Sequence, residues 1–221
     1  MNRETTVNLL PHFPSPRPLF LRVTTACLWM FVVASANLAD ELPDGFAEKS
    51  LAVEIRENEI VLEYRVGLAR KELQKYCQTN SCEIGTGSDS ELMSAFANDL
   101  ALHLPEKLFL EVDGRQVQPQ VNQARPGGQH HVSAMIELKV PFTGNSQGTT
   151  LKVIDRSFPD LDGAIRLACK GRGAVMLRKS NVAMLVVRAN RIEFANLPNS
   201  DREIASTIEA LILISPPSQS K

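Results

Sequence analysis

Aromatic side chains are scarce in this chain of 221 residues, and the scarcity excludes one class of partner. Aromatic residues make up 5% of the sequence, with one Trp and two Tyr. Proteins that bind single-stranded nucleic acids stack the bases on aromatic rings, so we expect no such platform here. The charge agrees, because a formal net charge of -1 at pH 7 offers little attraction to a polyanion. We therefore predict no nucleic-acid partner.

A hydrophobic run long enough to cross a membrane is lacking as well. The apolar run near the N-terminus, residues 23–33, is about a dozen residues long, whereas a spanning helix needs roughly 20. Two arginines precede this run, and the small residues Ala-Ser-Ala at 34–36 follow it. This order is typical of a secretory signal, with a second cleavage position after Ala39. We therefore predict a signal peptide at residues 1–36 and an extracytoplasmic mature protein, periplasmic or secreted.

Internal repeats and long linkers are also lacking after this leader. We expect residues 37–215 to form a single soluble β-rich domain and residues 216–221 to form a disordered tail. A chain of this size buries about 70% of its unfolded surface, so it can fold without disulfides or metals.

Alternation of apolar and polar residues predicts most of the strands. Residues 51–68 alternate on either side of Glu57-Asn58, which is typical of a β-hairpin. Asp113-Gly114 predicts a second hairpin, with a return strand at 115–121. The clearest alternation runs over residues 132–142. Further strands are predicted at 149–154, 174–178, 182–188 and 191–194.

A helical segment interrupts the strands. Ser88 and Glu91 have the spacing of a capping box, and an apolar stripe at helical spacing continues to Pro105, where we expect the helix to stop. A shorter helix is expected at 70–77, while 204–214 fits either a helix or a β-branched strand. The sequence predicts a mainly β (α+β) fold of β-sandwich-like antiparallel sheets. The helical insertion lies between the second and third strands.

A family resemblance is carried by the opening strand Glu48-Lys49-Ser50-Leu51, the capped helix and three short strings, in their order along the chain. The strings are VLEYRVGL from Val61, LFLEVDGRQV from Leu108 and VIDRSFPDLDGAIRL from Val153. The arrangement resembles the extracytoplasmic N-terminal domain of nickel/cobalt exporters and of hydrogenase/urease accessory-type metal transporters. In that family a membrane-spanning exporter with metal-site histidines follows the domain. The resemblance implies a link to metal transport through a separate membrane protein partner.

The histidines are the candidate ligands for a divalent transition metal. After the leader the chain contains His103, His130 and His131, and imidazole suits such ions. Adjacent residues of a strand point to opposite faces, so His130 and His131 would need a loop or bulge to share one ion. The competing interpretation is an ordinary polar strand end.

Three cysteines remain after the leader, and an odd number leaves one thiol unpaired. Cys77 and Cys82 are close in sequence, and in an oxidising compartment we predict a disulfide between them. A redox-active or metal-binding pair is the alternative, although the spacing differs from Cys-x-x-Cys. Cys169 follows apolar residues and is expected to be a buried thiol.

Basic residues are concentrated between residues 151 and 192. One interpretation is a surface for an anionic partner, such as lipid headgroups or an acidic protein. The other is that these charges pair across neighbouring strands with the acidic segment 40–66. The candidate residues for the surface are Arg156, Arg166, Arg172, Arg178 and Arg188.

Catalytic motifs are lacking, which leaves carboxylates of unknown position as the only enzymatic route. We therefore expect a non-catalytic extracytoplasmic binding or interaction module, accessory to a membrane metal transporter, rather than an enzyme. A secreted hydrolase and a structural envelope protein are the alternatives.

Overall fold

Two β-sheets and three helices are formed by the residues that the computed structural model describes. These are residues 42–83, 88–128, 132–145, 147–182, 190–195 and 197–214, and all lie in one compact unit, Ala36–Lys221. In chain order the elements are β1 (Phe46–Ile55), β2 (Glu59–Leu68), α1 (Arg70–Thr79), α2 (Asp89–Lys107), β3 (Leu108–Val112), β4 (Arg115–Gln116), β5 (Gln120–Pro126), β6 (Ala134–Pro141), β7 (Thr149–Asp155), β8 (Asp162–Gly171), β9 (Val175–Ser180), β10 (Asn190–Glu193), α3 (Asn199–Ala205) and β11 (Thr207–Ile214).

The two sheets confirm the predicted fold class. The larger sheet has the strand order β10-β8-β1-β2-β6-β5, and the smaller has β4-β3-β7-β11-β9. Neighbouring strands are antiparallel except β1 and β8, which run parallel. Helices α1 and α2 lie between β2 and β3 in the chain, as predicted. Side chains of both sheets and of α2 form one hydrophobic core.

The first hairpin and the clearest strand follow the predicted alternation. β1 and β2 pair from Ala47↔Leu68 to Ile55↔Ile60. In β6, the residues Ile136 and Leu138 are fully buried, whereas Glu137 between them is not. The period of two therefore places one face of each strand in the core.

Strand β8, which lies between β10 and β1, is not predicted by alternation. Its residues are apolar on both faces, as is common for a parallel strand that is covered on both sides. Gly163 at its start is required sterically, because a Cβ atom there would lie 1.9 Å from the carbonyl oxygen of Ala47. Its φ of 135° also favours glycine.

The predicted return strand at 115–121 is confirmed only over its first residues. Asp113 and Gly114 form the tight turn, with φ of 49° and 76°. The chain then pairs with β3 at β4 and through the N–H of Val117, which donates to the Leu110 carbonyl at 2.9 Å, before it crosses to the larger sheet to form β5. Pro119 lies between these strands and has no N–H to continue the ladder.

The helices agree with the sequence except at one end. Ser88 and Glu91 form the predicted capping box. Pro105 does not stop α2, which continues to Lys107. A proline in the last turn removes only one helical hydrogen bond, and the N–H of Leu108 still donates to the carbonyl of Leu104.

The C-terminal segment, for which the sequence allowed either a helix or a strand, is a strand preceded by a short helix. α3 ends at Ala205, and β11 lies between β7 and β9. Ile208 and Ile212 are fully buried and lie on one face of β11. The pairing partners on both sides favour the strand, since an apolar β-branched segment alone fits either state.

Several predictions concern residues outside the described ranges. These are the signal peptide at 1–36, the tail at 216–221, most of the strand at 182–188, and both His130 and His131. They stay predictions.

Candidate functional site

An open cavity of about 520 Å³ lies where α1 and α2 begin. Its wall comes from four separate parts of the chain: Leu42 before β1, the end of β2 with the start of α1, the start of α2, and the two ends of the β5–β6 connection. The lining residues are Leu42, Leu68, Ala69, Arg70, Leu73, Asp89, Ser90, Leu92, Met93, Gly127, Gly128, Val132 and Ser133.

Local packing fixes the wall of this cavity. The N–H of Ser133 donates to Val66 at 2.8 Å, and the Ser133 hydroxyl accepts from the N–H of Leu68 at 3.1 Å. Gly127 donates to the Ser133 carbonyl at 2.8 Å, and a Cβ atom on Gly127 would meet the Val132 carbonyl oxygen at 1.6 Å. The β5–β6 connection therefore needs glycine for its close approach to β6.

The rim of the cavity carries one ion pair. Arg70 Nη2 lies 2.8 Å from Asp89 Oδ1, and this contact joins the first residues of α1 and α2. Both side chains are more than half exposed, so the pair contributes at most about 1 kcal/mol to stability. Inside the rim the wall is mainly apolar, with Leu73, Leu92 and Met93. The cavity suits a ligand or peptide with both apolar and polar groups.

The chain passes this cavity immediately before and after the predicted metal histidines. Gly128 and Val132 line it, and His130 and His131 fall between them in the sequence. His103 is placed elsewhere, on α2, with its Nε2 3.6 Å from Asp99 Oδ1. It lies ten residues after Met93, about 15 Å along the helix axis. The structure thus does not bring His103 to the cavity.

A second, smaller cavity of about 290 Å³ adjoins a buried ion pair between the two sheets. Lys49 on β1 and Asp155 at the end of β7 are only 5% and 3% exposed, and Lys49 Nζ lies 2.8 Å from Asp155 Oδ2. This contact is an ion pair without the alignment of a good hydrogen bond. The ammonium also donates to the Ser157 carbonyl at 2.8 Å and lies 5.3 Å from the centre of the Phe194 ring.

The remaining groups of this buried cluster satisfy one another. Asp155 Oδ1 accepts from the N–H of Ser157 at 2.8 Å and from its hydroxyl at 2.5 Å. Because the Ser157 proton is used there, Tyr64 donates its hydroxyl to Ser157 Oγ at 2.5 Å. Burial and the Asp155 charge raise the pKa of Tyr64 well above its ordinary value. A hydroxyl, an amine and a carboxylate thus meet, but each is engaged with a neighbour.

Sequence reasoning missed this cluster, although it left one signal. Lys49 occupies a core-facing position of β1, in line with Leu51, Val53 and Ile55. A charged residue at an inward position of an alternating strand needs a partner, because an unpaired buried charge is very costly. The partner is distant in the chain, so only the fold identifies it as Asp155.

A second carboxylate, Glu54 on β1, collects three cations. Its oxygens lie 2.7 Å from Arg56, 2.6 Å from Lys170 and 3.3 Å from Arg172. Lys170 is the register partner of Glu54 on the parallel strand β8. Burial opposes the charge on Glu54, but the hydrogen bonds from Lys170 and Arg56 outweigh it and lower its pKa to about 2.

The structure distributes the basic candidates over both sheets. Arg166 lies on β8, and Arg172 follows that strand and pairs with Glu54. Arg156 follows β7 and pairs with Glu203 at 3.0 Å. Arg178 is exposed on β9, the edge of the smaller sheet, and Arg188 lies outside the described residues.

Part of the basic segment follows the cross-strand interpretation. Lys170 and Arg172 form ion pairs with Glu54, and Arg191 forms one with Glu48. These ion pairs link β8, the residues after it and β10 to β1. A surface for an anionic partner stays a prediction.

The described cysteines are free thiols. Cys77 at the end of α1 is buried, and Cys82 after it is partly buried. The structure does not contain the disulfide between them, which stays a prediction for an oxidising compartment. Cys169 on β8 is fully buried, as its apolar surroundings in the sequence predict.

Comparisons with known proteins give no family for this chain. No protein-family model matches it, and no curated protein shows significant similarity to it. Among the described residues there is no cluster of three or more His, Cys, Asp or Glu side chains that could hold a metal ion. None of the described helices combines the length and apolar character needed to cross a membrane.

Proposed function

We propose that this chain is a non-catalytic extracytoplasmic binding module, accessory to a membrane metal transporter. The observation that carries the proposal is the open cavity at the starts of α1 and α2. It has a mainly apolar wall, one ion pair on its rim, and residues in its wall on both sides of His130 and His131.

The polar chemistry near the second cavity supports binding rather than catalysis. Lys49, Asp155 and Ser157 are each at most 5% exposed and are bonded to one another. A general base or nucleophile must reach a substrate atom within hydrogen-bond distance. These groups instead form a buried contact between the two sheets.

The residues proposed to bind the metal ion are chosen from the chemistry of the imidazole side chain. Neutral histidine nitrogens bind nickel, cobalt and zinc ions, and two adjacent side chains share one ion only where the backbone departs from regular strand geometry. His130 and His131 would supply two ligands from the β5–β6 connection. The remaining positions of the ion would be open to a partner or to solvent.

Calorimetric titration with nickel, cobalt, zinc and calcium tests this proposal. We expect a transition metal to bind with a dissociation constant below about 1 μM. The double variant His130→Ala/His131→Ala should lose this binding. His103→Ala is the matched control, since it removes an imidazole that lies away from the cavity, and it should bind as the unaltered chain does.

Three outcomes would contradict the proposal. Absence of any binding heat would favour a structural envelope protein. Loss of binding in His103→Ala alone would move the metal site to α2. Turnover of a substrate in a panel of hydrolase assays would favour the secreted hydrolase.

A further inference from the structure

Helix α1 ends in a Schellman motif whose two contact positions are both cysteines. The N–H of Ser81 donates to the Gln78 carbonyl at 3.5 Å, and the N–H of Cys82 donates to the Cys77 carbonyl at 2.9 Å. Ser81 has the left-handed conformation that the motif needs, with φ of 55°. In this motif the longer-range backbone hydrogen bond brings two residues together, and their side chains frequently touch, usually as an apolar pair. Here the pair consists of two thiols.

The two thiols differ in access and in acidity. Cys77 is 1% exposed, and its burial and the hydrogen bond that it donates to Cys82 raise its pKa to about 12. Cys82 is partly exposed; burial raises its pKa above the ordinary value, and the hydrogen bond accepted from Cys77 offsets this rise only in part. The attacking species in thiol chemistry is the thiolate, so Cys82 is the thiol that reacts first.

Contacts of the neighbouring residue Tyr76 fix the position of the helical turn that carries Cys77. Tyr76 packs edge-on against Phe96 of α2, with ring centroids 4.9 Å apart, and donates its hydroxyl to Asp99 at 2.8 Å. These contacts hold the last turn of α1 against α2. Within the described ranges no third His, Cys, Asp or Glu completes a metal site with the two thiols.

We propose that the C-terminal end of α1 is a thiol–disulfide exchange site whose substrate is a small-molecule disulfide. Cys82 loses its proton to solvent and its thiolate attacks one sulfur of the substrate, so that a mixed disulfide forms on Cys82 and one substrate thiolate leaves. Cys77 then loses its proton to this thiolate and attacks the Cys82 sulfur, and the second substrate thiolate leaves and takes up a proton from solvent. Two protein thiols are oxidised to one disulfide, and one substrate disulfide is reduced to two thiols.

The backbone geometry makes the second step intramolecular. The Schellman bonds hold Cys77 and Cys82 at adjacent positions before any sulfur bond exists. A resolving thiol that is already in place acts at a high effective concentration, so the mixed disulfide is short-lived. The reverse reaction, in which an external thiol attacks the disulfide, proceeds through the partly exposed Cys82.

Equilibration with glutathione tests the site in the full chain carrying Cys27→Ser and Cys169→Ala, which leaves only the two thiols in question. With oxidised glutathione, mass spectrometry should show the loss of two hydrogen atoms and no bound glutathione. Adding Cys77→Ser should leave one glutathione attached to Cys82. Adding Cys82→Ser should leave Cys77 largely unmodified, because that thiol is buried.

A second measurement needs neither Cys77→Ser nor Cys82→Ser. Alkylation of the reduced parent chain with iodoacetamide, followed by peptide mapping, should modify Cys82 at least ten times faster than Cys77. Equal alkylation rates, a glutathione adduct that persists in the parent chain, or a thiol pair that oxidised glutathione leaves unchanged would each overturn the proposal.

Discussion

At the scale of single residues, buried charge shows most clearly how this molecule is held together. Lys49 and Asp155 are a charged pair in a position where apolar residues are the rule, and they connect one sheet to the other. Such a pair is weak evidence for stability as a unit, because both ions lose their hydration. Removing only one member is nevertheless strongly destabilising, because it leaves the other charge buried without a partner.

This asymmetry gives a prediction for Lys49→Met. The substitution leaves the Asp155 carboxylate buried without its counter-ion, so it should reduce the free energy of unfolding by about 3–5 kcal/mol. The double variant Lys49→Met/Asp155→Leu should recover part of that loss. Urea unfolding measures both.

The matched control for Lys49→Met is Lys152→Met. Lys152 forms an ion pair with Glu209 on the surface of the smaller sheet, 3.1 Å apart and 40% exposed on the lysine side. Its replacement should cost less than about 1 kcal/mol. Equal costs for the two lysine variants would contradict the role of the buried pair.

Glu54 predicts a pH dependence of stability. Its pKa is about 2 in the folded chain, against an ordinary value of 4.5, so the unfolded chain binds the proton more readily. The stabilisation is therefore fully present above about pH 4.5 and is lost as the pH falls toward 2. A difference of this size is worth up to about 3 kcal/mol.

Urea unfolding at about pH 5 and about pH 3 measures this loss. Glu54→Gln should unfold more easily at the higher pH and should show a smaller decrease between the two. Glu106→Gln changes an exposed carboxyl on α2 and serves as the control. An unchanged pH dependence in Glu54→Gln would show that the cations around Glu54 do not stabilise the fold.

At the scale of elements, period-two alternation locates a strand and also its buried face. Ile136 and Leu138 of β6 are fully buried, and Glu137 between them accepts a hydrogen bond from Asn122 on the surface, 2.5 Å away. The alternation therefore tells which substitutions in β6 create a cavity and which change only the solvated face.

We predict that Ile136→Ala and Leu138→Ala each lower the free energy of unfolding by about 2–5 kcal/mol. Glu137→Ala should change it by less than about 0.5 kcal/mol, as surface substitutions usually do. Thermal or chemical unfolding of the three variants is the measurement. Similar small effects at all three positions would mean that β6 is not half buried in solution.

Elements that lack a clear period required the tertiary structure. β8 is apolar on both faces, and β11 was equally compatible with a helix. Both become strands because each lies between two partners that satisfy its backbone groups. The short β4 shows the opposite case, since Asp113-Gly114 fixes the turn while Pro119 limits the return strand.

At the scale of the whole molecule, the predicted signal peptide gives a prediction that the described residues do not test. We expect the exported protein to begin at Asn37 or Asp40, because the small residues of a cleavage site directly follow the apolar run. N-terminal sequencing and the intact mass of exported protein are the measurements. A membrane fraction that retains residues 1–36 would instead indicate a signal anchor.

The sequence by itself determined the first hairpin, the capped helix, β6 and the buried state of Cys169. Each of these follows from the spacing and type of side chains within one continuous segment of the chain. Only the tertiary structure decided the parallel pairing of β1 with β8 and the ion pair of Lys49 with Asp155. Those contacts join residues more than a hundred positions apart, and local periodicity carries no information about such partners.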